Sequence, residues 1–316
     1  MATLPLLVLG GGDRKPHYLP PRGRGKQPLT GCKGADVRIG ARRLIDLVLE
    51  RFEALGESLG PTYIAGPAAA YGRVGSAHLI DTDGDFGENL AAGIDVIGRA
   101  HPGSPIAVTT CDVLPEEAEL RGALEHYHRN APCDLWFPLV RTPADERALG
   151  ESAWKPRYRI VSESGEPTPF LPGHLAIFDP EAMRLAFLYR LLQRAYESRN
   201  RSVLYRRWYM IRRVSGAIVS HDVEELLHGR LPALAVDVVL AFRAARWLAR
   251  GVLPVNDVER ALRRLFAHRA HRRRYPERRI VLSFVDGLSL ARDIDTVEEA
   301  RALGALTAPA ESIPVA

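Results

Sequence analysis

Hydrophobic and polar positions alternate between two periods along the first half of the chain. A short apolar run, Leu4-Pro5-Leu6-Leu7-Val8-Leu9, stops at Gly10-Gly11-Gly12-Asp13. Such a run predicts a buried strand, and the glycines predict a turn where another group comes close to the backbone. The spacing then changes to the helical one over Leu44 to Phe52. Pro61 to Gly66 and Ala77 to Ile80 read as short strands, the second followed by the polar turn Asp81 to Asp85. A helix is expected over Asn89 to Ile97. Pro105 to Thr110 reads as a strand that stops at Cys111-Asp112, with a Glu- and Leu-rich helix after Pro115. Strands and helices in alternation predict a parallel α/β sheet, in which ligands sit beyond the carboxyl ends of the strands.

The second half has a different pattern. Leu135 to Val140, Tyr158 to Val161 and Leu175 to Phe178 read as strands, and Pro172-Gly173-His174 as a turn. The loops between them carry Arg141, Lys155 and Arg157. From Pro180 to about Arg274 the pattern is mainly helical. A last strand, Ile280 to Val285, precedes Asp293-Ile294-Asp295-Thr296 and a terminal helix through Leu303. The organisation expected is an α/β core over 1–180, a helical subdomain or insertion over 181–278, and a return to the core over 279–316.

Composition narrows the class. With 316 residues, 46% of them hydrophobic, the chain can bury a large core. A formal net charge of +5 among 26% charged residues favours an acidic small ligand only weakly and does not indicate nucleic acid. Cys32, Cys111 and Cys133 contain no CxxC pair, which argues for a reducing compartment without a disulfide framework or zinc site. The first apolar run is too short for a secretory signal, and no apolar segment is long enough to span a bilayer. A cytoplasmic protein is the expectation.

Chemistry concentrates at the strand ends. The glycine turn can offer amide N–H groups to phosphate oxygens, and Arg14, Lys15, Arg22, Arg24, Lys26 and Lys33 supply positive charge beside it. The competing reading is a tight turn with a solvated basic loop. Asp112 lies at a second strand end, where it is either a ligand or a helix cap. Asp81, Asp83 and Asp85 read as a solvated turn, His174 as a structural turn histidine, and Cys111 as a packing residue. The arginine stretches 194–213 and 263–274 read as a solvated helical face, an anionic-acceptor site, or a contact with an acidic membrane surface. The last option draws on Arg206-Arg207-Trp208-Tyr209-Met210.

Four segments in order resemble a known superfamily. Leu9-Gly10-Gly11-Gly12 with Lys33, Ile39-Gly40 and Leu44-Ile45-Asp46 resembles the opening signature of the MobA-like and sugar-phosphate nucleotidyltransferases. Gly87 to Gly93 resembles their base-proximal segment, Thr110 to Pro115 their metal-binding aspartate turn, and Asp293 to Glu299 their closing acidic motif. The resemblance implies a Rossmann-like α/β fold of the GT-A type, a mixed, mostly parallel sheet flanked by helices, here with a helical insertion. It also implies Mg²⁺-dependent transfer of a nucleotidyl group from an NTP to a phosphorylated or otherwise anionic small-molecule acceptor, releasing pyrophosphate.

By the same resemblance Leu9, Gly10, Gly11 and Gly12 would cradle the nucleotide, Lys33 would contact its phosphates, and Gly87 and Asn89 would lie near base or ribose. Asp112 and Asp295 would hold the metal, with Asp293 as an alternative ligand. The chain departs from the pattern after its glycines, where Asp13-Arg14-Lys15-Pro16 opens a longer loop. Arg22 or Arg24 would then stand in for the family's arginine. The helical block would serve the acceptor or an oligomer interface, a homodimer included. The rival readings are a GT-A glycosyltransferase with a nucleotide-sugar donor, and a nucleotide-binding protein without turnover.

Overall fold

The computed structural model describes residues 4–13, 19–162, 164–198 and 254–307. Its centre is a mixed sheet of nine strands. Four of these are mutually parallel neighbours: β1 (Leu6–Leu9) lies between β4 (Thr62–Gly66) and β6 (Ile106–Thr110), and β5 (His78–Asp81) flanks β4. Two further strands, β2 (Arg38–Ile39) and β3 (Arg42–Arg43), form a separate small hairpin. Beyond β6 the order continues through β10 (Leu175–Phe178), antiparallel to both its neighbours, to β7 (Leu135–Arg141). Along its other side β7 pairs in parallel with β11 (Ile280–Val285). This is a mixed, mostly parallel Rossmann-like α/β sheet.

The alternation of β1 decides how its two faces are filled. Leu6 and Val8 point into a core shared with α2 (Leu44–Glu53) and α5 (Glu117–Asn130), whereas Leu7 and Leu9 pack with α4 (Phe86–Ala100) and α6 (Leu185–Ser198). A strand covered on both faces has no polar positions, which explains its unbroken apolar run. The remaining α-helices among the described residues are short, α1 (Lys33–Asp36) and α3 (Ala68–Tyr71), or come late: α7 (Val255–Phe266), α8 (Arg269–Arg274) and α9 (Val297–Thr307). None of the helices among the described residues is long and apolar enough to cross a membrane.

Three differences from the sequence expectation bear on the fold. α4 begins at Phe86 because Asp85 caps it, accepting from the amides of Gly87 and Glu88 while Glu88 accepts from the Asp85 amide. The acidic turn thus contains a capping box. α9 runs to Thr307. The third difference is a strand that the prolines conceal, β9 (Pro167–Pro172), which pairs with β8 (Tyr158–Val161) and with the end of β7. The carbonyl of Pro169 accepts from the Thr142 amide. Its ring nitrogen therefore faces the side where β7 has ended, so no ladder bond to β8 is lost. β9 and β10 are two halves of one bent strand. A Cβ at Gly173 in the bend would lie 2.7 Å from the Pro138 ring.

The described ends of the helical block pack on this core. α6 crosses α4 at Gly87, where a Cβ would lie 2.9 Å from the Tyr189 carbonyl. α7 lies along β11, with Glu259 accepting from the Leu282 amide. Asp134, fully buried just before β7, takes Arg263 at 2.7 Å and His271 at 3.1 Å. The segment Arg206 to Met210 and most of the first arginine stretch lie outside the described residues.

Candidate active site

The carboxyl ends of β1 and β6 are adjacent, so the glycine turn and Asp112 emerge side by side. Asp13 and Gly31 exchange both backbone hydrogen bonds at 2.9 Å, closing the basic loop at its neck. Gly31 sits at φ 83°, a conformation that a side chain disfavours. Lys33 follows at once, on the first residue of α1. The closing acidic segment is tied to both places: the Ile294 amide donates to the Asp112 carbonyl, and the Leu29 amide to the Asp295 carbonyl, each at 2.8 Å. Three stretches remote in sequence are thus held together by backbone bonds.

Lys33 is 5% exposed, and its Nζ lies 2.7 Å from Asp295, 3.0 Å from Asp112 and 3.4 Å from Asp13. Burial alone would favour the neutral amine. The carboxylates outweigh it and hold Lys33 protonated, its pKa raised. Lys155 forms a second centre of charge, 2.5 Å from Asp293 and 3.3 Å from both Asp295 and Glu299. It too is buried, and it too stays charged because Asp293, Asp295 and Glu299 surround it. Burial tends to raise the pKa of Asp293, but Lys155 and His174 hold it well below the usual carboxylate range. His174, carried by the bend between β9 and β10, lies 3.6 Å from Asp293 and 3.4 Å from the Thr110 hydroxyl. Burial would lower its pKa, yet the Asp293 charge raises it.

Between these groups lies a cleft of about 250 Å³. Leu9, Gly11, Gly12, Lys33, Asn89, Asp112, Asp293 and Asp295, all named from the sequence, line it. Gly11 has no hydrogen bond to its amide among the described residues, and a Cβ there would lie 2.6 Å from Nδ2 of Asn89. Asn89 is itself buried and meets Thr82 at 3.0 Å. Gly10 serves packing instead, since a Cβ would lie 2.9 Å from the Tyr71 ring. Gly87 is the helix-crossing residue described above. Arg22 and Arg24 are exposed and do not line the cleft, and Arg14 and Lys15 lie outside the described residues.

Sequence reading gave no role to Lys155 and placed His174 in a structural turn, although His174 lines the cleft. No local pattern marks Lys155, because its partners are more than a hundred residues away. Glu299 was findable. Thr296 and Glu299 form a capping box at α9, the Glu299 carboxylate accepting from the Thr296 amide at 3.1 Å and, beyond it, from Asp295 at 2.8 Å.

Ligand atoms of Asp112, Asp293 and Asp295 all lie within 4.8 Å of one another. Carboxylate oxygens are hard donors suited to magnesium. The Lys33 ammonium, seated between Asp112 and Asp295, shows that this place attracts a cation. The residues therefore fit a divalent metal.

No family model matches the sequence, and no curated protein matches it. Solved structures do. A structure described as a hypothetical transferase from Thermus thermophilus is 18% identical, with a TM-score of 0.54, over 94% of this chain and 99% of that one. The 4-diphosphocytidyl-2C-methyl-D-erythritol synthase of Anaerococcus prevotii overlaps at 8% identity and a TM-score of 0.44, over 97% of this chain and 99% of its own. A CMP:2-keto-3-deoxy-manno-octonic acid synthetase complexed with CTP overlaps at 12% and 0.45, over 96% and 98%. The last two overlaps are too loose to bear on the site. The chain shares its α/β fold with the Thermus structure along nearly the whole length of both.

Proposed function

We propose that the protein is a Mg²⁺-dependent, MobA-like nucleotidyltransferase that moves an NMP group from an NTP to an anionic small-molecule acceptor and releases pyrophosphate. One observation carries this reading: the glycine turn, the Lys33 ammonium and the carboxylates of Asp112 and Asp295 meet in a single cleft at the carboxyl ends of parallel strands.

In this reading Gly11 and Gly12 offer backbone to the phosphates, and the missing Cβ at Gly11 leaves room for the Asn89 amide beside them. Asp112, Asp293 and Asp295 would hold the magnesium, which supplies Lewis-acid stabilisation of charge on phosphate oxygens. Lys33, buried and held cationic by its carboxylate partners, exchanges them for phosphate oxygens and stabilises charge that builds up during in-line displacement. The acidic side chains outnumber the lysines in the cleft wall. A bare triphosphate is therefore repelled, and the nucleotide enters together with its cation. His174, which lines the cleft, marks the side on which an anionic acceptor docks, and the reaction belongs to the cytoplasm.

The test is pyrophosphate release from each NTP in the presence of phosphorylated and other anionic acceptors. Asp112→Ala is expected to abolish metal-dependent release while the circular dichroism spectrum stays that of the wild type. Undiminished release by that variant would refute the metal assignment. Consumption of a nucleotide sugar with release of nucleoside diphosphate would favour glycosyl transfer.

A further inference from the structure

The two ammonium groups at the acidic cluster use different oxygens of the same carboxylate. Oδ1 of Asp295 lies 2.7 Å from Lys33, on the side facing Asp112 and the cleft. Oδ2 lies 3.3 Å from Lys155, which, unlike Lys33, does not line the cleft. Lys155 is also anchored by Glu299 at 3.3 Å, by the Asp293 carboxylate at 2.5 Å and by the Asp293 backbone carbonyl. Glu299 in turn accepts from the Asp295 amide and from Ser152. Both side chains are buried, but Lys33 lines the cleft and can turn into it when a cation arrives. Lys155 is enclosed and stays.

We propose that Lys155 sets the cation specificity of this site by keeping Oδ2 of Asp295 occupied, so that this carboxylate binds an incoming cation through Oδ1 alone. Small cations such as Mg²⁺ and Mn²⁺ take octahedral shells of single oxygens, whereas Ca²⁺ tolerates two oxygens of one carboxylate and more ligands. A carboxylate with one free oxygen favours the smaller ion. Lys155 is thus a positioning residue, acting through Asp295. The proposal rests on the reading of the acidic cluster as a metal site, but it concerns binding alone and needs no turnover.

The test uses the full chain without nucleotide. Mn²⁺ binding is followed by electron paramagnetic resonance, and Mg²⁺ and Ca²⁺ are compared as competitors. The wild type is expected to release Mn²⁺ to Mg²⁺ more readily than to Ca²⁺. In Lys155→Met the ratio should move toward Ca²⁺ by on the order of tenfold, the scale typical of partners that orient metal ligands. An unchanged ratio in a folded Met variant would overturn the proposal. A crystal of the wild-type protein with Mn²⁺ gives the same answer without any variant. One Asp295 oxygen on the ion with Lys155 on the other is expected, and both oxygens on the ion, or no ion at the cluster, would overturn it. Mn²⁺ bound as expected in a protein that turns over no NTP would sink the nucleotidyl-transfer reading and leave the Lys155 proposal intact.

Discussion

Gly11 is the residue where shape and chemistry meet most closely. Its missing side chain leaves room for the Asn89 amide, 2.6 Å from where a Cβ would stand. Gly11→Ala must displace Asn89, which is buried and bonded to Thr82. The expected cost to stability is modest, roughly 1 kcal/mol as for other small overpacking changes, because the atom met is the end of a side chain. Affinity for nucleotide should fall by a larger factor than stability, as read by calorimetry and urea unfolding on the same variant. Gly11 and Asp112 were legible in the sequence because each follows the end of a strongly patterned strand, and Lys33 and Asp295 because their segments resemble family motifs. Lys155 was not, since its significance lies entirely in carboxylates brought from elsewhere in the chain.

At the scale of elements, α2 shows how local charge sets an edge of the fold. Arg43, its N-cap, forms a forked pair with Asp46 at 2.9 and 2.7 Å and also bonds the Tyr71 carbonyl. The Arg43 hydrogen bonds hold Asp46 below its ordinary pKa. A depressed carboxylate adds stability above its unfolded pKa, about 3.9, and loses it as pH falls through the folded value. Asp46→Asn is therefore expected to cost less than about 1 kcal/mol at neutral pH, the pair being partly exposed. The difference from the wild type should vanish in urea titrations carried below the carboxylate range. Most helices and strands could be read from periodicity alone. β9 could not, because Pro167, Pro169 and Pro172 argue against a strand unless one knows which way their nitrogens face.

For the whole molecule, the ion cluster at Asp134 ties the late helices to the sheet. Asp134 is fully buried and holds both Arg263 of α7 and His271 of α8, while Arg263 also donates to the carbonyls of Tyr275 and Pro276. Asp134→Ala leaves the arginine without its counter-charge, for which about 3–5 kcal/mol of destabilisation is expected in urea unfolding. Such a cluster cannot be foreseen from sequence, since one aspartate and one arginine 129 residues apart carry no pattern. The parallel α/β sheet could be foreseen from the alternation of strands and helices, whereas the order of strands around β1 comes from the structure. That order places the glycine turn beside Asp112, and everything claimed for the cleft depends on that placement. Thermal-shift titration of the wild-type protein with each NTP, in Mg²⁺ and in EDTA, tests it most directly. At least one NTP should raise the melting temperature in a dose-dependent way when Mg²⁺ is present and fail to do so in EDTA. No shift with any NTP, or the same shift in EDTA, would contradict a metal-dependent nucleotide site at this cleft.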